Sequence, residues 1–294
     1  MKFTFKSPSF FLNLEQLEEQ FNNSELIEYH TRLRKSKNTS QTVVNENLEN
    51  NKIIELATVK NYCNIVNKSS PFYQRDIIRS SLIIENPDLF LRDPLKVIFN
   101  QIPRSFRIQF GKKEDKFNVL NECTEFFKII KSSMTIDSIN AVIQELFMNA
   151  VYDAPREAQR NDFPITEKES ELMIAHDQEL IAISCVDYYG SLNVDKFMKR
   201  LNLISSKGAG SNINLDSNVG GAGIGCYILF NHSLSIIVGV KTKVCTRFTC
   251  IFPLKMSQKQ FSNISKNIQI IDFNKNLENE LRSNHESKKH KSKK

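Results

Sequence analysis

Glu145, Asn149 and Asp153 recur every four residues in the stretch ELFMNAVYDAP, so on a helix they stack along one stripe. Ile136, Ile139, Ile143, Leu146 and Ala150 keep the three-four spacing of a core-facing side of the same helix. A carboxylate and an amide on such a helix face either water or a ligand, and the helix alone does not decide between them. A second concentration lies further on, where six of the nine glycines fall between Gly208 and Gly225. Glycine permits unusual backbone angles and leaves N–H groups approachable. The run VGGAGIG leads into a helix, whose N-terminus favours anions such as phosphate. A mobile loop or a close helix–strand contact would use the same glycines.

Two common phosphate motifs are excluded by the residues themselves. Gly220 and Gly225 have the spacing of the outer P-loop glycines, but Cys226 and Tyr227 stand where Lys and Ser/Thr belong. A dinucleotide fingerprint begun at Gly221 and Gly223 meets Cys226 instead of a third small residue, and it comes too late in the chain.

The elements that must position these residues follow from periodicity. SFRIQF alternates as a strand does, KEDKFNVLNECTEFFKIIKS reads as an amphipathic helix, and the Glu145 helix comes next, with Pro155 expected to end it. ELMIAHD and LIAISCVD are strand candidates, the second ending at Asp187; a short helix near Val194 to Leu203 leads to the glycines. A helix over AGIGCYILFNHS and strands LSIIVGVK and VCTRFTCIF complete the order. This predicts an α+β fold with a mixed or antiparallel sheet covered on one face by helices. Upstream, Ile53 to about Asn100 reads as mainly helical, broken by Pro71, Pro87 and Pro94, and the polar stretch 36–52 reads as a linker. The expected division is 1–103 as a helical N-terminal region, 104–255 as the motif-bearing domain, and 256–294 as an extension with a basic, solvated tail.

Composition narrows the classes. With 294 residues, 40% of them hydrophobic, the chain can bury a sizeable core. The net charge of +7 suggests nucleic acid until it is located: the tail from Arg282 holds six Lys/Arg against one Glu, so five of the seven charges sit there. The remainder is near neutral, which argues against direct nucleic-acid binding. No apolar run approaches the roughly 20 residues of a membrane span and no secretory leader is read at the start, so a cytoplasmic protein is expected. The six cysteines form no CxxC pair, which suits a reducing compartment. His30 lacks the acidic residue and proline of a histidine-kinase phosphoacceptor box, and the other histidines show no metal spacing.

Four pieces occur in order: Glu145 with Asn149-Ala150, Asp187 with Gly190, Gly220-Gly221-Ala222-Gly223-Ile224-Gly225, and Thr246-Arg247-Phe248. Together, over about residues 104 to 253, they resemble the ATP-binding domain of the GHKL superfamily of gyrase B subunits, heat-shock chaperones, histidine kinases and mismatch-repair ATPases. The compact length looks most like the anti-sigma-factor serine kinase branch and the bacterial ATP-binding proteins near it. The resemblance implies a Bergerat-type two-layer α/β sandwich that binds ATP with Mg²⁺. On that likeness Asn149 ligates the cation through its amide oxygen, Glu145 serves as the base or positions the attacking water or hydroxyl, and Asp187 accepts the adenine amino hydrogen. Gly190 belongs with it to the adenine-binding box, Asp153 stands among the binding residues, Gly220, Gly221, Gly223 and Gly225 hold the phosphates, and the Thr246 hydroxyl completes the adenine side. Three positions depart from the family pattern. Asp187-Tyr188-Tyr189-Gly190-Ser191 replaces Asp-x-Gly-x-Gly, Asp153 replaces a His or aromatic residue beside the cation, and Cys245 replaces a glycine.

The activity so implied is phosphoryl transfer to Ser/Thr of a partner protein in bacterial signal transduction. The partner would be an anti-sigma antagonist, a sigma factor or a response-regulator-like protein, with homodimerisation left open. The alternatives are an ATP-gated binding module without transfer, or a detached histidine-kinase ATPase domain.

Overall fold

Asp187 and Thr246 end up side by side because the strands that carry them are neighbours in a mixed eight-stranded sheet. A computed structural model of the protein describes residues 43–46, 48–59, 63–99, 103–130, 136–207 and 224–273. In chain order the elements are β1 (Val43–Glu46), α1 (Asn50–Val59), β2 (Asn64–Asn67), α2 (Tyr73–Glu85), α3 (Pro87–Arg92), α4 (Leu95–Ile98) and β3 (Arg104–Phe110). Then come a 3₁₀ turn (Lys113–Asp115), α5 (Lys116–Ile129), α6 (Ile136–Met148), a π turn (Asn149–Asp153), α7 (Ala154–Arg160), β4 (Ser170–His176) and β5 (Leu180–Asp187). The chain continues through α8 (Val194–Lys207), α9 (Ile224–His232), β6 (Ser235–Lys241), β7 (Cys245–Pro253), α10 (Gln258–Ser262) and β8 (Asn267–Asp272). Gly220, Gly221, Gly223, His30 and the tail from Arg282 lie outside the described residues.

The strand order is β1-β2-β8-β6-β7-β5-β4-β3, with β1–β2 and β8–β6 parallel and the other pairs antiparallel. The α+β order is therefore present, and the sheet runs through all three stretches that the sequence divides at 103 and 255. β1 and β2 come from the first stretch, and β8 from the last slots between β2 and β6. Part of the polar stretch read as a linker is strand β1, which pairs Val43 with Asn64 and Val44 with Ile65. Four residues show too little alternation to announce a strand; the parallel partner supplies the order.

Helices cover both faces of the sheet, where one was expected. Ile181, Ile183 and Cys185 of β5 join α1, α5, α6, α8 and α9 in one core, whereas Leu180, Ala182 and Val186 join Phe90, Leu91, Leu95, Val97 and Ile98 in a second. A strand buried on both faces reads as near-continuous apolar sequence, as LIAISCV does apart from Ser184, whose hydroxyl is hydrogen-bonded. At the rear of the sheet Gly239 is the residue over which Phe90 and Leu91 pack: a Cβ there would lie 2.7 Å from Leu91 Cδ2. Across the rung, Arg247 donates from Nε to the Leu91 carbonyl at 2.8 Å and from Nη1 to Ser184 Oγ at 3.0 Å. Burial lowers the Arg247 pKa.

A polar cluster anchors α2 near the other edge. Asp76 accepts from Arg79 Nη2 at 2.6 Å, Ser70 Oγ at 2.6 Å and Asn267 Nδ2 at 2.7 Å, all of them buried.

The helix carrying Glu145 does not stop before Pro155. After Met148 it widens into the π turn, where the Ala154 N–H donates to the Asn149 carbonyl five residues back, and then continues as α7. Pro155 sits in the first turn of α7, where its fixed φ suits the helix. The slipped ladder just before it accommodates the missing donor, so the proline marks a change of pitch, not an end.

Candidate functional site

Between α6, α8, α9 and the β5–β7 edge lies a cavity of about 570 Å³, within the range of small-molecule sites. Glu145, Asn149, Asp153, Asp187, Gly225 and Thr246 all line it. The stripe predicted on the Glu145 helix thus faces a cavity and not open solvent, and the π turn keeps Asp153 on the cavity side. Gly190 is not in the wall. It turns the chain behind Asp187 at φ +59, and a Cβ there would come within 2.3 Å of the Lys241 carbonyl, so glycine is required on both counts.

At the sheet end, Asp187 and Thr246 are cross-strand partners. Asp187 Oδ1 accepts from the Tyr189 N–H at 3.0 Å and the Gly190 N–H at 3.3 Å. Burial pushes its carboxyl up to about 6 from 3.8, against the opposing pull of those two N–H groups and of Thr246. Thr246 lies close enough to hydrogen-bond Asp187 and favour the charged carboxylate, and its buried Oγ1 meets no other partner among the described residues. A hydroxyl both donates and accepts, so one that lines a cavity can also serve a ligand group. Tyr188 and Tyr189 do not line the cavity, and Lys168 Nζ stands 3.4 Å above the Tyr188 ring.

Along the helices the site is charged. Burial raises the Glu145 pKa, and repulsion from Asp153 adds to the rise while Lys116 opposes it. Burial likewise raises the Asp153 carboxyl, against the pull of Arg156 and Arg200. Asp153 is ion-paired with Arg156. Gly225 opens α9 against Glu145: a Cβ at this position would lie 2.3 Å from Glu145 Oε2. Ser191 Oγ donates to the Ala154 carbonyl at 2.7 Å, tying the loop after β5 to the start of α7.

The structure adds residues that the motif reading passed over. Lys196, Phe197 and Arg200 of α8 line the cavity, as does Phe248 of β7. Phe197 and Phe248 form a tilted pair with centroids 5.7 Å apart. The i, i+4 repeat of Lys196 and Arg200 is visible in VDKFMKRL, but a pair of cations on an amphipathic helix ordinarily belongs to a solvated face.

At the sheet end the cavity thus presents an acceptor, Asp187, beside a hydroxyl, Thr246. Among the described residues no group of three or more His, Cys, Asp or Glu is placed to hold a metal. Asn149 and Asp153 bring an amide and a carboxylate oxygen to the cavity wall, the ligand chemistry that suits a hard cation. No helix among the described residues is long and apolar enough to cross a membrane, and the six cysteines are free thiols. No family model matches the chain, and no curated protein matches it by sequence.

Proposed function

We propose that the protein binds ATP with Mg²⁺ in this cavity through a Bergerat-type domain and transfers the γ-phosphoryl group to a Ser/Thr of a partner protein, as a regulatory kinase of the anti-sigma type. One observation carries the reading: an acceptor, Asp187, and a buried hydroxyl, Thr246, share the rung that walls a cavity whose helical side bears Glu145 and Asn149. Adenine offers an amino donor to Asp187, whereas guanine offers an oxygen there and is rejected. Bound Mg²⁺ would neutralise charge on the phosphates. Asn149 would hold that cation through its amide oxygen, aided by Asp153. Glu145, whose pKa is raised by burial, suits the role of base and takes the acceptor hydroxyl's proton as its oxygen displaces ADP.

The experiment is a comparison of ATP and GTP binding by the parent and by Asp187→Asn, followed by phosphoryl transfer from labelled ATP to co-purified partners. ATP should bind in preference to GTP, and the variant should lose roughly 1–3 kcal/mol of ATP affinity. Equal binding of both nucleotides removes the adenine assignment.

A second reading, an ATP-gated module that transfers nothing, draws on Asp153, whose charge beside Glu145 opposes an incoming polyphosphate. ATP-dependent partner binding without turnover would select it.

A further inference from the structure

We propose that Lys196 and Arg200 form a phosphate clamp, so that the cavity selects ligands by their polyphosphate charge as well as by their base. The inference rests on the nucleotide reading for the ligand's identity but not for its charge.

Three cations line the cavity: Arg156, Lys196 and Arg200. Arg156 is already committed to Asp153. Lys196 and Arg200 form no ion pair among the described residues. They stand one turn apart on α8, flanking Phe197, which faces the core with Met198 and Leu201. That spacing directs both side chains to the same side. Arg200 is also near the acidic end, since its charge acts on Asp153 and on the Cys226 thiol.

The balance of charge at that end makes the pair necessary. Glu145 and Asp153 both line this end of the cavity, Asp153 paired with Arg156. A ligand bringing several negative charges beside two carboxylates is repelled unless positive charge faces it. A divalent cation meets part of that demand, and the two unpaired side chains of α8 meet the rest. Arg200 offers a planar fork that suits two phosphate oxygens, and Lys196 a mobile point charge. The clamp predicts graded affinity: adenosine is indifferent to it, ADP uses part of it and ATP uses all of it.

The test measures binding of adenosine, ADP, ATP and inorganic tripolyphosphate, with Mg²⁺, to the full chain and to Lys196→Gln, Arg200→Gln and Arg200→Lys. Circular dichroism and thermal melting identify any variant that fails to fold. Each glutamine variant should lose about 10- to 100-fold in ATP and tripolyphosphate affinity, the range of a charge-assisted hydrogen bond, with adenosine unchanged. Arg200→Lys should keep part of the loss from appearing. Parent-like ATP and tripolyphosphate binding by the folded glutamine variants overturns the clamp and leaves the adenine assignment standing; so does an equal loss for adenosine, which would make α8 a wall only. Clamp-dependent binding of tripolyphosphate by a parent that ignores adenosine supports the clamp and removes the adenine assignment.

Discussion

Asp187 and Thr246 are partners on one rung of β5 and β7, and their side chains open onto the same cavity. One is a carboxylate with two backbone N–H groups on a single oxygen, and the other is a buried hydroxyl beside it. The rung therefore holds one acceptor ready and one hydroxyl that can turn toward a group entering the cavity.

This arrangement makes base binding sensitive to pH. The Asp187 carboxyl sits at about 6 in the folded protein, against 3.8 ordinarily, so the folded state holds the extra proton between those values. Stability contributed by this group falls as pH rises from about 4 to about 6 and is level above. Binding runs the opposite way, because the ionised carboxylate is the stronger acceptor for the adenine amino group. Adenosine, which has no phosphates to titrate, should bind roughly tenfold more weakly at pH 5 than at pH 7. Asp187→Asn should flatten that profile, and an unchanged profile in the variant would place the titrating group elsewhere.

Gly190→Ala should damage the same end of the cavity from behind. The residue has φ +59, and a Cβ would meet the Lys241 carbonyl at 2.3 Å and the Val244 nitrogen at 2.7 Å, both backbone atoms that cannot swing aside. The strain should cost roughly 1–3 kcal/mol in denaturant unfolding. Since the Gly190 N–H also holds Asp187, nucleotide affinity should fall with it. Unaltered stability would mean that the turn after β5 can adopt another path.

Asp76→Ala tests the anchoring of the rear layer. Arg79 is 3% exposed and faces Asp76, which is 1% exposed. Removing the carboxylate leaves the guanidinium buried without its counter-charge and also strips Ser70 and Asn267 of an acceptor. The expected loss is about 3–5 kcal/mol in chemical unfolding. A loss below about 1 kcal/mol would mean that water reaches Arg79 once the aspartate is gone.

What the sequence disclosed follows a physical divide. Glu145, Asn149 and Asp153 stood out because helical spacing carries a polar stripe through apolar neighbours, and LIAISCVD announced its strand through a run that is apolar except for Ser184. That same run also signalled that both faces of β5 are covered, a sign passed over in expecting helices on one face. Lys196 and Arg200 stayed hidden because a cation repeat on an amphipathic helix reads the same toward water or toward a cavity. β1 and β2 were illegible for another reason: four-residue strands have no period to read, and their order comes from partners distant in sequence, as where Asn67 N–H donates to Asn267 Oδ1 at 2.7 Å. Pro155 misled because a proline forbids only its own donor, and the π turn had already shifted the ladder.

The roles of Glu145 and Asn149 separate in kinetics. Asn149→Ala removes a neutral oxygen ligand, so Mg²⁺-dependent ATP binding should weaken and turnover should vanish with it. Glu145→Gln keeps the shape of the wall and removes the base, so ATP should stay bound while transfer slows by about 10²- to 10⁴-fold. Gly225→Ala supplies an independent approach to the same carboxylate: the new Cβ, 2.3 Å from Oε2 in place, pushes Glu145 off its position without touching its charge. The fold should survive, because the side chain that must move is flexible at its end. Turnover should drop toward the Glu145→Gln level with ATP affinity changed by only a few fold. Full turnover in both Glu145→Gln and Gly225→Ala would remove Glu145 from the chemistry and leave it as part of the cavity wall.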